Sequence, residues 1–167
     1  MKWGLVPAWA KDRTWPMINA QAEGIQDKPT FWTPFRQQRC LIPATHFFEW
    51  KADGRGKQPY LIRTTDQPRF AFASLYDVHY DSADGDLYRF SIVTTEPNAL
   101  TASIHNRMPV ILRPELEAVW LDRSTSAREL PMLLAPYPAS RMEVFPVSQA
   151  VNQARYDSVG VIAQVIS

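Results

Sequence analysis

Fourteen prolines are spread along the 167 residues of this chain. Proline has no backbone N–H and disrupts the interior of helices and central strands, so the elements between prolines must be short. This spacing disfavours a bundle of long helices. No segment repeats at a fixed period, so a solenoid or propeller is not expected either. The length suits one domain of ordinary size, and we expect a single domain over residues 1–167.

Runs of β-branched and aromatic residues predict most of the regular structure. The predicted strands are Arg39–Lys51, Gln58–Thr65, Phe70–Tyr80, Leu87–Thr95, Met108–Leu112 and Glu143–Val147. Residues 52–57 contain two glycines and are expected to join the first two strands as a hairpin. Asp84, Gly85 and Asp86 are expected to form the turn between the third and fourth.

Capping and proline signals predict helices that are few and short. The predicted helices are Thr30–Gln38, Pro97–Ser103, Pro114–Trp120 and Ser126–Leu134. The last begins with Ser126 and has Glu129 three residues later, which is a capping box. Together the elements predict an α+β fold, rich in strands, with a curved and mostly antiparallel sheet.

Composition removes several classes of protein. The single cysteine, Cys40, excludes an internal disulfide framework and a multi-cysteine zinc site. The histidines and nearby acidic residues show no metal-ligand spacing, so we expect no metal and no cofactor. Without a long apolar run or a signal peptide, we expect a cytoplasmic protein that does not enter a membrane. The net charge of +1 argues against a uniformly basic nucleic-acid binder but permits a local basic groove.

Five of the six tryptophans lie within the first 50 residues, and Trp9 and Trp15 stand beside charged residues in a loop-like segment. Aromatic side chains next to lysine and arginine are typical of proteins that bind single-stranded nucleic acid, because every base has a face for stacking. The alternative is that these rings pack in the core or within loops.

Three polar residues are candidates for a site. Glu49 stands among aromatic residues and is either on a solvated strand face or half-buried with a raised pKa, as suits proton transfer. His105 lies in a polar loop, where it acts as an acid or base or is simply solvated. Asn19 follows an apolar pair and is either a turn residue or a hydrogen-bonding site residue.

A hydrolase is a further alternative, using either Ser103 with His105 or Cys40 with His46. No Gly-x-Ser-x-Gly motif accompanies Ser103. Cys40 begins an apolar strand, where buried structural thiols are commoner than reactive ones.

An ordered series of short motifs resembles one family along nearly the whole chain. The motifs are Trp3-Gly4-Leu5-Val6-Pro7, Ile18-Asn19-Ala20, Arg39-Cys40-Leu41-Ile42-Pro43-Ala44, Phe48-Glu49-Trp50-Lys51, Lys57-Gln58-Pro59-Tyr60, Thr94-Thr95, Ile104-His105-Asn106-Arg107-Met108-Pro109-Val110 and Pro146-Val147-Ser148. In their order and spacing, these motifs resemble those of the SOS response-associated peptidase (SRAP) family of abasic-site processing proteins.

The resemblance implies binding to single-stranded DNA that contains an abasic site, by a protein that acts as a monomer at the nucleoid. In the family, an N-terminal cysteine forms a Schiff base with the sugar aldehyde and then a thiazolidine, which crosslinks protein and DNA. Members also remove their own N-terminal residues.

The resemblance also implies roles for particular residues. Glu49 handles protons at the amine, His105 is the acid/base for sugar ring opening, and Asn19 hydrogen-bonds the nucleophile. The residues expected to contact DNA are Trp3, Trp9, Trp50, Thr94 and Arg107.

The sequence departs from the family pattern in three places. The chain begins at the Trp-Gly-Leu element and lacks the Cys-Gly-Arg segment that precedes it in the family. Gln21 stands where members usually have arginine, and Asn106 replaces the usual aspartate. Two interpretations stay open: a truncated member, or a variant that binds single-stranded DNA without crosslinking. Truncation predicts an exposed apolar surface near residues 3–9.

Overall fold

The computed structural model of the chain describes residues 1–7, 15–54, 56–79, 85–153, 155 and 158–165. The chain divides into two compact units. The first unit comprises Met1–Pro43, Ala71–Thr95 and Pro109–Pro136, and the second comprises Ala44–Phe70, Glu96–Met108 and Tyr137–Ser167.

Short strands and a few helices make up both units, which confirms the predicted α+β class. The strands are β1 (Lys2–Trp3), β2 (Asn19–Gln21), β3 (Arg39–Ala44), β4 (Phe47–Ala52), β5 (Lys57–Thr64), β6 (Phe70–His79), β7 (Leu87–Thr95), β8 (Met108–Pro109), β9 (Ile111–Leu112) and β10 (Met142–Pro146). The α-helices are α1 (Pro29–Gln37) and α2 (Pro114–Leu121). The 3-10 helices are Ile25–Asp27, Leu130–Leu133, Ala139–Arg141, Gln149–Asn152 and Val159–Ile162.

The sheet of the first unit is built around β7. Strands β1 and β2 pair with β7 in parallel, whereas β6 pairs with β7 in antiparallel orientation. Gly4 follows β1 with a φ of 104°, and a Cβ there would lie 2.6 Å from the Cβ of Pro16. Only glycine fits both this backbone conformation and this close approach, which accounts for the glycine of the first motif.

A buried arginine links the helices of the first unit to its sheet. Arg39 begins β3 and is only 7% exposed. Its guanidinium donates to the carbonyl oxygens of Phe35 at 2.9 Å, Asp122 at 2.6 Å and Trp120. These carbonyls lie at the C-terminal ends of α1 and α2, where no further backbone N–H is available. The arginine of this motif is therefore structural.

The second unit contains a three-stranded antiparallel sheet in the order β10-β5-β4. Strands β4 and β5 form the predicted hairpin, with Ala52 opposite Lys57 and Glu49 opposite Tyr60. The long strand expected over Arg39–Lys51 is in fact two strands, interrupted at residues 45 and 46. Its first half, β3, joins the sheet of the first unit and its second half, β4, joins this one.

Two of the four predicted helices are confirmed, as α1 and α2. The helix predicted over Pro97–Ser103 is wrong, because this segment folds into turns. The prediction over Ser126–Leu134 is only partly right. Glu129 does reach back to the N–H and hydroxyl of Ser126, at 3.3 and 3.0 Å, yet only the 3-10 helix Leu130–Leu133 follows. Pro131 has no N–H for an α-helical bond, so the capping box starts a turn that does not extend.

The turn predicted at residues 84–86 begins at Asp84, which lies outside the described residues. None of the helices in the described part of the chain is long and apolar enough to cross a membrane.

Candidate functional site

Glu49 lies in the middle of β4 in the second unit. Its side chain is half-buried, with 23% of its surface exposed. Burial raises the pKa of this carboxyl above its ordinary value, while the nearby His105 and a backbone hydrogen bond from Trp50 act in the opposite direction. The result is a carboxyl that takes up a proton more readily than a solvated glutamate, as a proton-transfer group requires.

His105 faces Glu49 from a turn of the same unit. Its Nδ1 lies 4.0 Å from Oε1 of Glu49, 3.1 Å from the backbone N of Arg107 and 3.0 Å from the backbone O of Arg107. A neutral Nδ1 accepts from the Arg107 N–H, and a protonated Nδ1 donates to the Arg107 carbonyl oxygen. Nδ1 therefore lies within hydrogen-bond distance of both polar groups of the Arg107 backbone.

Asn98 organises the turn that carries His105. Its Oδ1 accepts from the backbone N–H groups of Leu100 and Thr101, each at 3.0 Å, and its Nδ2 donates to the carbonyl oxygen of Tyr137 at 2.7 Å. The carbonyl oxygen of the buried Thr101 then accepts from the N–H of His105 at 3.1 Å. The position of the imidazole thus depends on an asparagine seven residues earlier.

A cleft of about 470 Å³ contains the carboxyl and the imidazole. It is lined by Glu49, Trp50, Lys57, His105, Gln149 and Asn152. The indole Nε1 of Trp50 donates to Oδ1 of Asn152 at 2.8 Å, which fixes the ring at the edge of the cleft. The cleft therefore brings together two titratable side chains, those of Glu49 and His105, and the indole ring of Trp50.

The remaining predicted site residues fall in different parts of the chain. Arg107 belongs to the second unit and touches the His105 ring through its backbone. Asn19 on β2 and Thr94 on β7 belong to the first unit, where Asn19 is exposed and Thr94 is buried. Trp9 lies outside the described residues.

Trp3 is also in the first unit and is 53% exposed. Its Nε1 donates to the carbonyl oxygen of Ile18 at 2.9 Å, and one ring face stacks on Phe90 with centroids 6.4 Å apart. Met1 and Trp15 are two further large apolar side chains that are exposed among the described residues.

The structure argues against a nucleophilic Cys40. Burial raises the pKa of its thiol to about 12, so almost none of it is thiolate at neutral pH. Within the described ranges, no three His, Cys, Asp or Glu side chains converge as a metal site would need.

The fold and the site define an α+β protein with a Glu–His pair in a cleft that has an aromatic wall. A model of the SOS response associated peptidase (SRAP) family matches residues 1–154. The chain belongs to the SRAP family.

Named relatives and a solved structure agree with this assignment. The chain is 44% identical over 162 residues to the abasic site processing protein YoqW of Bacillus subtilis, covering 95% of this chain and 72% of the relative. It is 30% identical to the abasic site processing protein YedK of Escherichia coli, covering 98% and 73%. A crystal structure of a protein from Bacteroides thetaiotaomicron superimposes with a TM-score of 0.90 at 34% identity, covering 98% of this chain and 75% of the other.

Sequence reasoning missed the residues that support the site. Asn98 follows a proline at the end of β7, and Pro-Asn before a change of direction is a turn signal that competes with the helix predicted there. Asn152 lies 102 residues from its partner Trp50, and no local pattern indicates a contact over that separation.

Proposed function

We propose that this chain binds single-stranded DNA at an abasic site and processes that site as part of the response to DNA damage in the cytoplasm. The observation that carries the proposal is the 4.0 Å approach of the Glu49 carboxyl to the His105 imidazole in a cleft with an aromatic wall. The names of the relatives support abasic DNA as the substrate.

An abasic sugar reacts as an aldehyde only when its ring is open. Opening requires a base to remove the C1 hydroxyl proton and an acid to protonate the ring oxygen, and His105 can exchange both protons. An amine then adds to C1, the resulting hydroxyl leaves as water after protonation, and a Schiff base remains. Glu49 accepts the proton that the amine loses and returns one to the departing hydroxyl. A neighbouring thiol, where the protein carries one, adds to the imine carbon and closes a thiazolidine.

The surroundings of the acid/base pair suit a nucleic-acid strand. The Trp50 indole offers a face for a base beside the gap left by the missing one. Arg107 holds a phosphate near His105, while Asn19, Trp3 and Thr94 contribute further contacts to the nucleophile or the strand. Each phosphate contact releases counterions, so affinity should fall as salt rises.

A denaturing-gel assay tests the proposal. Single-stranded DNA with one abasic site is mixed with the chain as printed and with a form extended at its N terminus by a Cys-Gly-Arg segment. Borohydride is added to a parallel sample to reduce any Schiff base to a stable amine. We expect the extended form to give a slow-migrating band without borohydride, and DNA with an intact base to give none.

Binding without chemistry is the second candidate, because Trp50 and Lys57 of the cleft can contact a strand whether or not a covalent bond forms. In that case neither form gives a covalent band, yet both retard abasic single-stranded DNA in a native gel. Absence of both the covalent band and the retardation would refute the proposed function in either version.

A further inference from the structure

One wall of the cleft is a chain of side-chain amides. The Trp50 Nε1 donates to Oδ1 of Asn152 at 2.8 Å, Nδ2 of Asn152 donates to Oε1 of Gln149 at 2.7 Å, and Nε2 of Gln149 donates to the backbone O of Lys57 at 2.9 Å. Gln149 and Asn152 lie on the short 3-10 helix Gln149–Asn152, whose first turn is capped by the Ser148 hydroxyl. The amides are exposed toward the cleft that contains Glu49 and His105.

The partners at the two ends of this row of hydrogen-bonded amides fix the direction in which each amide donates. An indole N–H can only donate, so the Asn152 oxygen must face Trp50 and its nitrogen must face Gln149. A backbone carbonyl can only accept, so the Gln149 nitrogen must face Lys57 and its oxygen must face Asn152. The two requirements agree at the hydrogen bond between Asn152 and Gln149. Neither side-chain amide can therefore be flipped by 180° without breaking a hydrogen bond.

This direction determines what the wall offers to a ligand. Each amide oxygen already accepts a hydrogen bond. Each amide nitrogen has one further N–H that takes no part in these hydrogen bonds. Lys57, which lines the same cleft, adds a cationic donor. The wall therefore presents donors and positive charge, which match the oxygens of a phosphate group.

We propose that Lys57, Gln149 and Asn152 form a phosphate-binding subsite beside the Glu49–His105 pair. The inference rests on the proposed function, because the phosphate is one that flanks the abasic sugar. Every sugar of a DNA strand is bonded to two phosphates. A strand whose C1 lies at Glu49 and His105 therefore places a phosphate within a few bonds of the reacting atom. The subsite would position the sugar beside Glu49 and His105. Through its hydrogen bond to Asn152, the Trp50 ring would be oriented to stack on the neighbouring base.

Fluorescence anisotropy with a single-stranded oligonucleotide carrying a tetrahydrofuran abasic analogue tests the subsite. The analogue has no aldehyde, so only non-covalent binding is measured. We expect Lys57→Gln to weaken binding about tenfold at low salt, and to make the slope of log Kd against log salt shallower by about 0.7. Gln149→Glu replaces a donor with a negative charge and should weaken binding more than Gln149→Ala does.

Lys51→Gln is the matched control. Lys51 lies on β4 opposite Gln58 in the same hairpin as Lys57, but it is not among the residues that line the cleft. This variant should leave both affinity and slope near the wild-type values. Circular dichroism melting confirms that each variant is folded before its affinity is compared.

A neutral backbone linkage tests whether the ligand is the flanking phosphate itself. A methylphosphonate next to the abasic analogue removes one negative charge from the DNA. With the methylphosphonate at one of the two flanking positions, the affinity of the wild type should fall about tenfold. The affinity of Lys57→Gln for the same modified strand should be close to its affinity for the unmodified strand.

The outcomes separate the two proposals. The subsite alone would be overturned by one result. In that result the wild type binds the DNA, but the affinity losses caused by Lys57→Gln and by the methylphosphonate multiply as independent effects at both flanking positions. An unchanged salt slope in Lys57→Gln would also overturn the subsite alone. A wild-type protein that does not bind abasic single-stranded DNA would overturn both the subsite and the proposed function.

Discussion

Replacing Glu49 with glutamine should make the protein more stable and less active at the same time. Glutamine has nearly the shape of glutamate but carries no charge, so the packing beside Phe48 and Trp50 is retained. The carboxyl is half-buried and its pKa is raised, which means that its ionised form is less favourable in the folded chain than in water. A carboxyl that lowers stability in this way is better explained by a chemical role than by a structural one.

The effect on stability depends on pH in a defined direction. Below about pH 4.3, the ordinary pKa of glutamate, the carboxyl is protonated in both folded and unfolded chains and costs nothing. As pH rises toward and through the raised pKa of the folded state, the unfolded chain ionises first and gains stability relative to the folded chain. Each unit by which the pKa is raised destabilises the folded protein by about 1.4 kcal/mol at neutral pH. For a chain of this length, this corresponds to about 3–6 °C in melting temperature.

Thermal melting of the wild type and Glu49→Gln across pH, with reaction rates measured on the same samples, checks both effects. The two melting curves should coincide near pH 4 and separate as pH rises, with the variant melting higher. The covalent reaction with abasic DNA, measured on the Cys-extended forms of both proteins, should slow by about a hundredfold or more, as expected for loss of a proton-transfer group. A variant that melts lower at pH 7, or that reacts at the wild-type rate, would refute the reasoning.

Three further predictions concern other residues. Asn98→Ala should slow the reaction at least tenfold while changing DNA affinity less than twofold, since it releases His105 without altering a surface that contacts DNA. Thr101→Ser, which keeps both the carbonyl that holds His105 and the hydroxyl that donates to Asn98, is its control in single-turnover kinetics and anisotropy. Cys40 should react with iodoacetamide at pH 8 at least tenfold more slowly than an exposed thiol, because burial raises its pKa to about 12. Mass spectrometry follows the labelling, and labelling at the rate of an exposed thiol would contradict a buried, protonated Cys40. Trp50→Ala should weaken binding to the abasic analogue by about 1–3 kcal/mol through lost base stacking, and equal affinities in anisotropy would exclude Trp50 as a stacking surface.

Local patterns predicted the elements whose formation depends on local chemistry. The hairpin of β4 and β5 followed from alternating residues around two glycines, and α2 followed from its N-terminal proline and acidic first turn. The helix predicted over Pro97–Ser103 was wrong because the Asn98 side chain binds the backbone N–H groups ahead of it and favours a turn.

Local sequence patterns could not predict contacts between residues that are far apart along the chain. The break between β3 and β4 reflects pairing of the two halves in different sheets, and a run of strand-forming residues carries no signal of which partner each half takes. Glu49 and His105 were recognised as candidates by residue type and by resemblance. Their approach to 4.0 Å depends on a turn held by Asn98 through Tyr137, which lies 39 residues further along the chain.

The most direct test of the account is a double-mutant cycle on the covalent reaction with abasic single-stranded DNA. Single-turnover rates are measured for the Cys-extended wild type, Glu49→Gln, His105→Ala and the double variant. If the carboxyl and the imidazole act together on one sugar, the double variant should be little slower than the slower single variant. Losses that multiply as if the two residues were independent would contradict the claim that they form one acid/base site.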